Sequence, residues 1–176
     1  RVRETGADLA LGFDGDGDRC GVVDDQGREI FADRMGLMLA RDLVADHPGA
    51  TFVVDVKSTG LYRTDPVLAA AGARVVYGMT GHSHMKRAVA AEGALVGFEK
   101  SGHVFFAPPL GRGYDDALVF AREILRLLDR AGARRLSELE ADLPPAFTSL
   151  TMNAYCPDTE KYAVVERIAG EYRALA

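Results

Sequence analysis

The stretch that decides the fold class is Thr51-Phe52-Val53-Val54-Asp55-Val56. Apart from Asp55, every residue in it is β-branched or aromatic, without the polar–apolar alternation of a half-exposed strand. Such a run is typical of a strand buried on both faces of a parallel sheet. A helical pattern over about residues 61–71 follows it, and a second apolar strand is predicted over residues 74–77. This order of elements indicates an α/β domain.

Helices and strands continue to alternate on both sides of this unit. Asp33 is predicted to cap a helix that runs to about residue 46, with Met35, Leu39 and Leu43 on one face. Further helices are predicted over residues 81–92, 114–130, 136–143 and 159–176. Further strands are predicted over residues 94–98, 104–106 and 147–154. The longest helix, over residues 114–130, has as candidate core residues Leu118, Ile124, Leu125 and Leu128. We predict a three-layer αβα domain with a mainly parallel mixed sheet.

A β-hairpin-like unit precedes this domain, with strands over residues 7–13 and 20–23 around the loop Asp14-Gly15-Asp16-Gly17-Asp18-Arg19. Three carboxylates this close repel one another unless a cation lies among them. Their oxygen atoms suit a hard ion, Mg²⁺ or Ca²⁺. A calcium-binding EF-hand is disfavoured, because its loop positions 6 and 12 require Gly and Glu and hold Arg19 and Asp25 here. The alternative to a cation site is a solvated acidic turn.

Three polar clusters follow predicted strands, where parallel sheets form their sites. Lys57 follows the central strand, and desolvation there would suit it to proton transfer, unless it merely extends into solvent. His82 opens a helix, whose N-terminus favours a neutral imidazole; Ser83 capping or a zinc-binding pair with His84 are alternatives. In the segment 99–103, an extended backbone would point Glu99 and Ser101 the same way, towards sugar hydroxyls. The alternative is that residues 99–103 form a polar loop without a binding role.

Composition narrows the function classes. Of the 176 residues, 48% are hydrophobic, which is enough for a well-formed core. A formal net charge of −5 argues against nucleic-acid binding, and no apolar run approaches the length of a membrane span. Cys20 and Cys156 have no disulfide-scaffold or zinc-like spacing, so we expect a reduced, cytoplasmic setting. Cys20 is expected to pack as a small hydrophobe.

Four motifs, in order along the chain, resemble those of the α-D-phosphohexomutase superfamily, in its bacterial phosphomannomutase/phosphoglucomutase branch. The loop 14–19 resembles the family's metal loop, and Asp55-Val56-Lys57-Ser58-Thr59 resembles its Asp-Val-Lys-Cys-Thr segment. Thr80-Gly81-His82-Ser83 matches a further segment. Glu99-Lys100-Ser101-Gly102-His103 resembles the sugar-recognition loop, with Lys100 in place of Met. Gly113-Tyr114-Asp115-Asp116 is similar to the segment that follows.

The resemblance implies an enzyme that interconverts hexose 1-phosphates and 6-phosphates, of mannose or glucose, through a phosphoserine and a bisphosphate intermediate. Mg²⁺ would be held by Asp14, Asp16 and Asp18. Arg19, Lys57 and His82 are the implied catalytic residues. Glu99, Ser101 and His103 are the implied substrate-binding residues, with Glu99 and Ser101 binding sugar hydroxyls and His103 supporting the sugar loop.

The resemblance also implies a domain organisation. Residues 1–30 would end domain 2, residues 31–145 would form domain 3, and residues 146–176 would lead to domain 4. The phosphoserine segment and the other domains of the polypeptide would be partners of this chain. We therefore expect the chain by itself to hold Mg²⁺ weakly and to turn over no substrate. The alternatives are a non-catalytic module that binds Mg²⁺ or sugar phosphate, and a Mg²⁺-dependent phosphatase that forms an aspartyl phosphate.

Overall fold

A computed structural model describes residues 1–149 and 152–174, which lie in two compact units, Arg1–Ala146 and Phe147–Ala176. The first unit begins with a short helix α1 (Val2–Thr5) and three strands, β1 (Ala10–Phe13), β2 (Cys20–Val23) and β3 (Glu29–Ile30). These strands form an antiparallel sheet in the order β1-β2-β3. The predicted hairpin is therefore present and gains a third strand, too short to be noticed in the sequence.

The remaining elements of the first unit build a second sheet with helices around it. In chain order they are α2 (Ala32–Asp46), β4 (Thr51–Asp55), α3 (Leu61–Thr64), α4 (Pro66–Ala70), β5 (Arg74–Gly78), α5 (His82–Ala91), β6 (Val96–Phe98), β7 (Val104–Phe106), α6 (Ala117–Ala131) and α7 (Leu136–Ala141). The sheet order is β5-β4-β6-β7, with β4 parallel to both neighbours and β7 antiparallel to β6. The predicted mainly parallel mixed sheet is confirmed.

Helices cover both faces of this sheet, as the three-layer prediction requires. On one face Val53 of β4 packs in a cluster with Met85 and Val89 of α5. On the other face Phe52 and Val54 belong to the larger core that α2 and α6 complete. Side chains alternate across a strand, so successive residues of β4 enter the two clusters in turn. The buried strand inferred from the sequence is confirmed for residues 52–55, whereas Val56 lies in the following turn and is 63% exposed.

Cys20 lies in that larger core, as expected. The residue is 2% exposed, and its side chain is a free thiol. Burial raises the pKa of the Cys20 thiol to about 11. It therefore behaves as a small hydrophobe in the larger core.

Several predicted helix boundaries are wrong. Asp33 is not an N-cap, since α2 begins after Phe31, and the Asp33 carboxylate accepts a hydrogen bond from the Thr59 backbone N–H at 2.9 Å. The helix predicted over residues 61–71 is two short helices, because Pro66 starts a new one and Asp65 caps it. The pattern of apolar residues did not reveal this interruption.

The longest predicted helix also differs at its start and in its buried face. Asp116 caps it, accepting hydrogen bonds from the backbone N–H groups of Leu118 and Val119, so α6 begins at residue 117 rather than 114. Ile124 is fully buried, as predicted, and Leu128 packs at the edge of the core. Leu118 and Leu125, by contrast, are 70% and 52% exposed, so they are not core residues. They lie seven residues apart and share an outward face.

The second unit contains one helix, α8 (Lys161–Arg173), within the predicted range 159–176. None of its residues, all of which the structure describes, is buried. The strand predicted over residues 147–154 is wrong where it can be checked, since residues 147–149 and 152–154 are not in a strand; residues 150 and 151 lie outside the described part. Every helix within the described residues is too short or too polar to cross a lipid bilayer.

Gly36 sets how closely α2 approaches the sheet. A Cβ atom at this position would lie 2.7 Å from Cδ1 of Phe98 and against the hydroxyl oxygen of Tyr62. Both aromatic side chains are almost completely buried, and the Tyr62 hydroxyl donates a hydrogen bond to the Asp33 carbonyl at 3.0 Å. Neither ring has room to withdraw, so only hydrogen fits at residue 36.

We expect Gly36→Ala to lower the free energy of unfolding by about 1–3 kcal/mol, because it overpacks the core between α2 and β6. A glycine-to-alanine change inside an unhindered helix would instead stabilise it by about 1 kcal/mol. Urea denaturation measures the difference. Gly60→Ala is the control, since a Cβ there meets no atom within 4 Å. Equal stability of Gly36→Ala and the native chain would contradict this packing.

Candidate functional site

The loop between β1 and β2 gathers its three carboxylates, as the sequence predicts. One oxygen from each of Asp14, Asp16 and Asp18 lies within 4.8 Å of the others. The loop closes through the Asp14 N–H, which donates to the Arg19 carbonyl at 3.4 Å. Gly17 has φ of +76°, a left-handed conformation that glycine adopts without strain. Gly17 thus lets the chain turn while the acidic side chains converge.

Arg19 balances part of this negative charge. Its Nε lies 2.6 Å from Oδ2 of Asp14 and 3.6 Å from Oδ1 of Asp18. Desolvation acts to raise the pKa of Asp14, but hydrogen bonds from Arg19 outweigh it and lower that pKa to about 2. For Asp18, desolvation raises the pKa, and the neighbouring carboxylates Asp16 and Asp14 add to the rise. The loop is therefore only partly neutralised by its own arginine.

These residues fit a hard divalent cation. All three donors are carboxylate oxygens, the type that Mg²⁺ and Ca²⁺ prefer. Oδ1 of Asp18 is buried and has no hydrogen-bond partner among residues 1–149 and 152–174. A buried carboxylate oxygen without a donor is costly, and a cation would satisfy it.

The loop of residues 14–19, called the metal loop after the family motif that it resembles, is fastened to the four-stranded domain at two points. Arg19 and His103 form an antiparallel backbone bridge, and the Ala117 N–H at the start of α6 donates to the Gly17 carbonyl at 3.1 Å. His103 Nδ1 also lies 3.5 Å from Oδ2 of Asp18. His103, predicted to support the sugar loop, therefore connects that loop to the metal loop.

Asp115 is a charged residue of this region to which the sequence assigned no role. One of its oxygens lies 3.1 Å from His103 Nδ1, and the other lies 2.7 Å from Lys86 Nζ. Desolvation acts to raise the pKa of Asp115, but the hydrogen bond from Lys86 helps to hold it below the usual value. The only sequence signal was its place in the segment 113–116, which resembles a family motif.

The segment 99–103 is a tight turn rather than an extended strand. It is closed by the Gly102 N–H, which donates to the Glu99 carbonyl at 3.0 Å, and Gly102 has φ of +101°. Glu99 and Ser101 nevertheless lie together, since the Ser101 hydroxyl donates to Oε1 of Glu99 at 2.9 Å. Oε2 of Glu99 is buried without a hydrogen-bond partner in the described part of the chain. That oxygen therefore has unused capacity to accept a hydrogen bond.

Lys57 and His82 lie at strand ends but are less enclosed than expected. Lys57 occupies the turn after β4 and is exposed, so the predicted desolvation of its ammonium group is not found. His82 is the first residue of α5 and is also exposed. Gly81, with φ of +116°, is the N-cap, so the alternative of a Ser83 cap is wrong. The catalytic roles of Lys57 and His82 stay predictions.

Asp55 is the residue that sequence reasoning missed. It ends β4, is 0% exposed, and accepts hydrogen bonds from the Ser58 hydroxyl, the Thr80 hydroxyl and the Lys100 N–H. The signal was visible in the sequence as the one acidic residue inside a fully apolar strand. Its consequence was not, because its partners lie up to 45 residues away.

A cavity of about 400 Å³ adjoins the metal loop. Its polar lining comes from both sides, with Asp14 and Arg19 from the metal loop and Lys100 and Ser101 from the turn after β6. Phe13 and Phe31 form part of its apolar wall. The cavity therefore has carboxylate, cation and hydroxyl groups within one concave surface.

Comparison with known proteins identifies relatives of this chain. The family described as phosphoglucomutase/phosphomannomutase, alpha/beta/alpha domain III, matches residues 31–147. A phosphomannomutase/phosphoglucomutase of Pseudomonas syringae pv. tomato is 37% identical to this chain over 96% of its residues. The matched region spans only 35% of that relative's length.

Two solved structures are similar to this fold. The crystal structure of a phosphoglucomutase/phosphomannomutase family protein from Burkholderia thailandensis has a TM-score of 0.74 and 36% identity, covering 83% of this chain and 31% of that one. An Aspergillus fumigatus N-acetylphosphoglucosamine mutase, solved with GlcNAc-6P and magnesium, has a TM-score of 0.56. At 19% identity over 77% of this chain and 33% of that chain, it shows the fold alone.

We expect Asp16→Asn to weaken Mg²⁺ binding by about tenfold, because affinity for hard cations depends on the number of carboxylate ligands. Asp16 is exposed, so its replacement should leave the fold intact. A Mg²⁺ titration followed by NMR measures the dissociation constant. Asp8→Asn, an exposed aspartate outside the loop, is the matched control. Equal Mg²⁺ affinity of Asp16→Asn and Asp8→Asn would rule out this ligand set.

Proposed function

Because the chain belongs to the phosphoglucomutase/phosphomannomutase family, we propose that it forms the metal loop and sugar-recognition domain of a phosphohexose mutase. Such an enzyme interconverts a hexose 1-phosphate and the corresponding 6-phosphate through a phosphoserine and a bisphosphate intermediate. The relative from Pseudomonas syringae pv. tomato carries the name of both the mannose and the glucose activity. The substrate class we propose is accordingly mannose or glucose phosphate.

The observation that carries this proposal is the backbone bridge between Arg19 and His103. It holds the carboxylate loop directly beside the turn that contains Glu99 and Ser101. A phosphohexose mutase must handle a phosphoryl group and sugar hydroxyls at the same time. The adjacency of an acidic loop with its arginine to a carboxylate–hydroxyl pair meets that requirement, and Asp14, Arg19 and Ser101 line one cavity.

The phosphoryl side of the site is assigned to the metal loop. Asp14, Asp16 and Asp18 would hold Mg²⁺, which supplies positive charge against a phosphoryl group when bound. Magnesium is the ion named for the solved Aspergillus fumigatus structure of the same fold. Arg19 is half-exposed and can donate to a phosphate oxygen while it remains paired with Asp14.

The sugar side is assigned to the segment 99–103. Glu99 and Ser101 would bind neighbouring hydroxyl groups, since Ser101 lines the cavity and Oε2 of Glu99 has no hydrogen-bond partner among the described residues. His103 would fix the turn through its bridge to Arg19. Lys57 and His82 would transfer protons to and from the reacting hydroxyl groups. Their exposure leaves both side chains accessible to a substrate.

We also propose domain limits at residues 30/31 and 145/146. The family match over residues 31–147 supports residues 31–145 as domain 3. The separate β1-β2-β3 sheet supports the assignment of residues 1–30 to the end of domain 2. Residues 146–176 would then connect to the following domain, and the division of the chain after Ala146 supports that limit.

Hexose-phosphate binding tests the sugar side. In NMR titrations with Mg²⁺ and either glucose 1-phosphate or mannose 1-phosphate, we expect the amide signals of residues 99–103 to shift. Glu99→Gln should weaken binding by roughly 10- to 100-fold, because a hydrogen bond to a charged group contributes about 1.5–3 kcal/mol.

Glu4→Gln, an exposed glutamate of α1, is the control and should bind as the native chain does. Signals that do not shift with either sugar phosphate would argue against a sugar-recognition domain. Equal affinity of Glu99→Gln and Glu4→Gln would argue against the assignment of Glu99 alone.

A further inference from the structure

A single buried carboxylate receives hydrogen bonds from three separate loops. Oδ1 of Asp55 accepts from the Ser58 hydroxyl at 2.5 Å and from the Lys100 backbone N–H at 3.1 Å. Oδ2 accepts from the Thr80 hydroxyl at 2.8 Å. The residue is 0% exposed, so these contacts replace all of its hydration. A buried carboxylate is tolerated only when its oxygens are satisfied in this way.

The three donors come from the loops that follow three neighbouring strands. Ser58 lies in the turn after β4, Thr80 in the loop after β5, and Lys100 in the turn after β6. Because β4 lies between β5 and β6 and runs parallel to both, the carboxyl ends of all three strands meet at one sheet edge. Asp55 occupies the middle of that edge.

Each of these loops carries a residue of the proposed site. Lys57 precedes Ser58, His82 follows Thr80 by two positions, and Glu99 and Ser101 flank Lys100. We propose that Asp55 is a positioning residue, which fixes the loops of Lys57, His82 and Glu99 in one mutual arrangement. That these loops bind a substrate rests on the function proposed above. The arrangement itself rests on the hydrogen bonds to Asp55.

The chemistry of the group explains why a carboxylate serves here. An ionised aspartate only accepts hydrogen bonds, on two oxygens, and so it can bind three donors at once. An asparagine would turn an NH₂ group towards one donor. If the NH₂ group faces the Lys100 N–H, two donors meet and no hydrogen bond forms. If it faces Thr80, the threonine hydroxyl must accept a hydrogen bond instead of donating one. The uncharged amide also accepts more weakly at its remaining oxygen.

Ser58 strengthens this arrangement in the present chain. The motif that this segment resembles has cysteine at the corresponding position, and a thiol is a weak donor. The serine hydroxyl instead makes a short hydrogen bond to an ionised acceptor, the stronger type. The turn that carries Lys57 is therefore held more firmly than a cysteine would hold it.

Amide hydrogen exchange of the whole chain, followed by NMR, tests the proposal without any ligand. In Asp55→Asn we expect the Lys100 amide to exchange at least about tenfold faster, in line with a lost charge-assisted bond. Amide signals of residues 57–59 and 79–82 should shift in the same variant. The Leu95 amide, bonded to the Thr51 carbonyl in the same sheet, should exchange as before.

Thr80→Val provides a second variant that keeps the buried charge and the side-chain shape. Loss of its hydroxyl should shift the amide signals of residues 57–59 and 99–101, because Ser58 and Lys100 donate to the same Asp55 carboxylate as Thr80. Thr80→Ser should restore them. Thr51→Val, which makes the same change at the end of β4 opposite Asp55, is the control and should leave all three loops unchanged.

Two outcomes would overturn the proposal. One is unchanged exchange and unchanged signals in the three loops of a folded Asp55→Asn or Thr80→Val chain. The other is faster exchange across the whole sheet, Leu95 included, which would make Asp55 a general stability residue. If the loops respond as expected but the native chain binds no glucose 1-phosphate or mannose 1-phosphate, the positioning role stands and the proposed function fails.

Discussion

The structure of the first unit depends on the enclosure of β4. This strand has a parallel partner on each edge and a helical layer on each face, so Phe52, Val53 and Val54 are all 0% exposed. Hydrophobic burial fixes its position, and its backbone hydrogen bonds fix the register of β5 and β6 against it. The polar loops at the strand ends therefore meet at one place because an apolar strand is buried between them.

The same enclosure of β4 explains why so much of the fold could be predicted from the sequence. A continuous apolar run cannot serve as a surface strand, so it predicted a parallel sheet covered on both faces. Where elements are exposed, the pattern gave weaker guidance. Leu118 and Leu125 satisfy the helical period but lie on the solvent side of α6, because apolar spacing identifies a face without saying what covers it.

The site was predictable in its chemistry and less so in its connections. The acidic loop and the strand-end clusters could be located because their residue types and spacing imply particular ligands. The hydrogen bonds of Asp55 and the ion pairs of Asp115 join residues far apart in sequence, and no local pattern encodes them. Asp33 is the opposite case: its place in the sequence predicts a local helix cap, whereas its side chain bonds the distant Thr59.

The attachment of the metal loop has a thermodynamic consequence for ion binding. A free acidic loop would lose backbone entropy at the moment it closes around a cation, which weakens its affinity. Here the backbone contacts of Gly17 to Ala117 and of Arg19 to His103 already restrict the loop. Its conformational entropy is lost when the chain folds, and the charge repulsion that remains among the carboxylates is relieved only when the ion arrives. Ion binding should thus be driven by electrostatics, with little reorganisation of the loop.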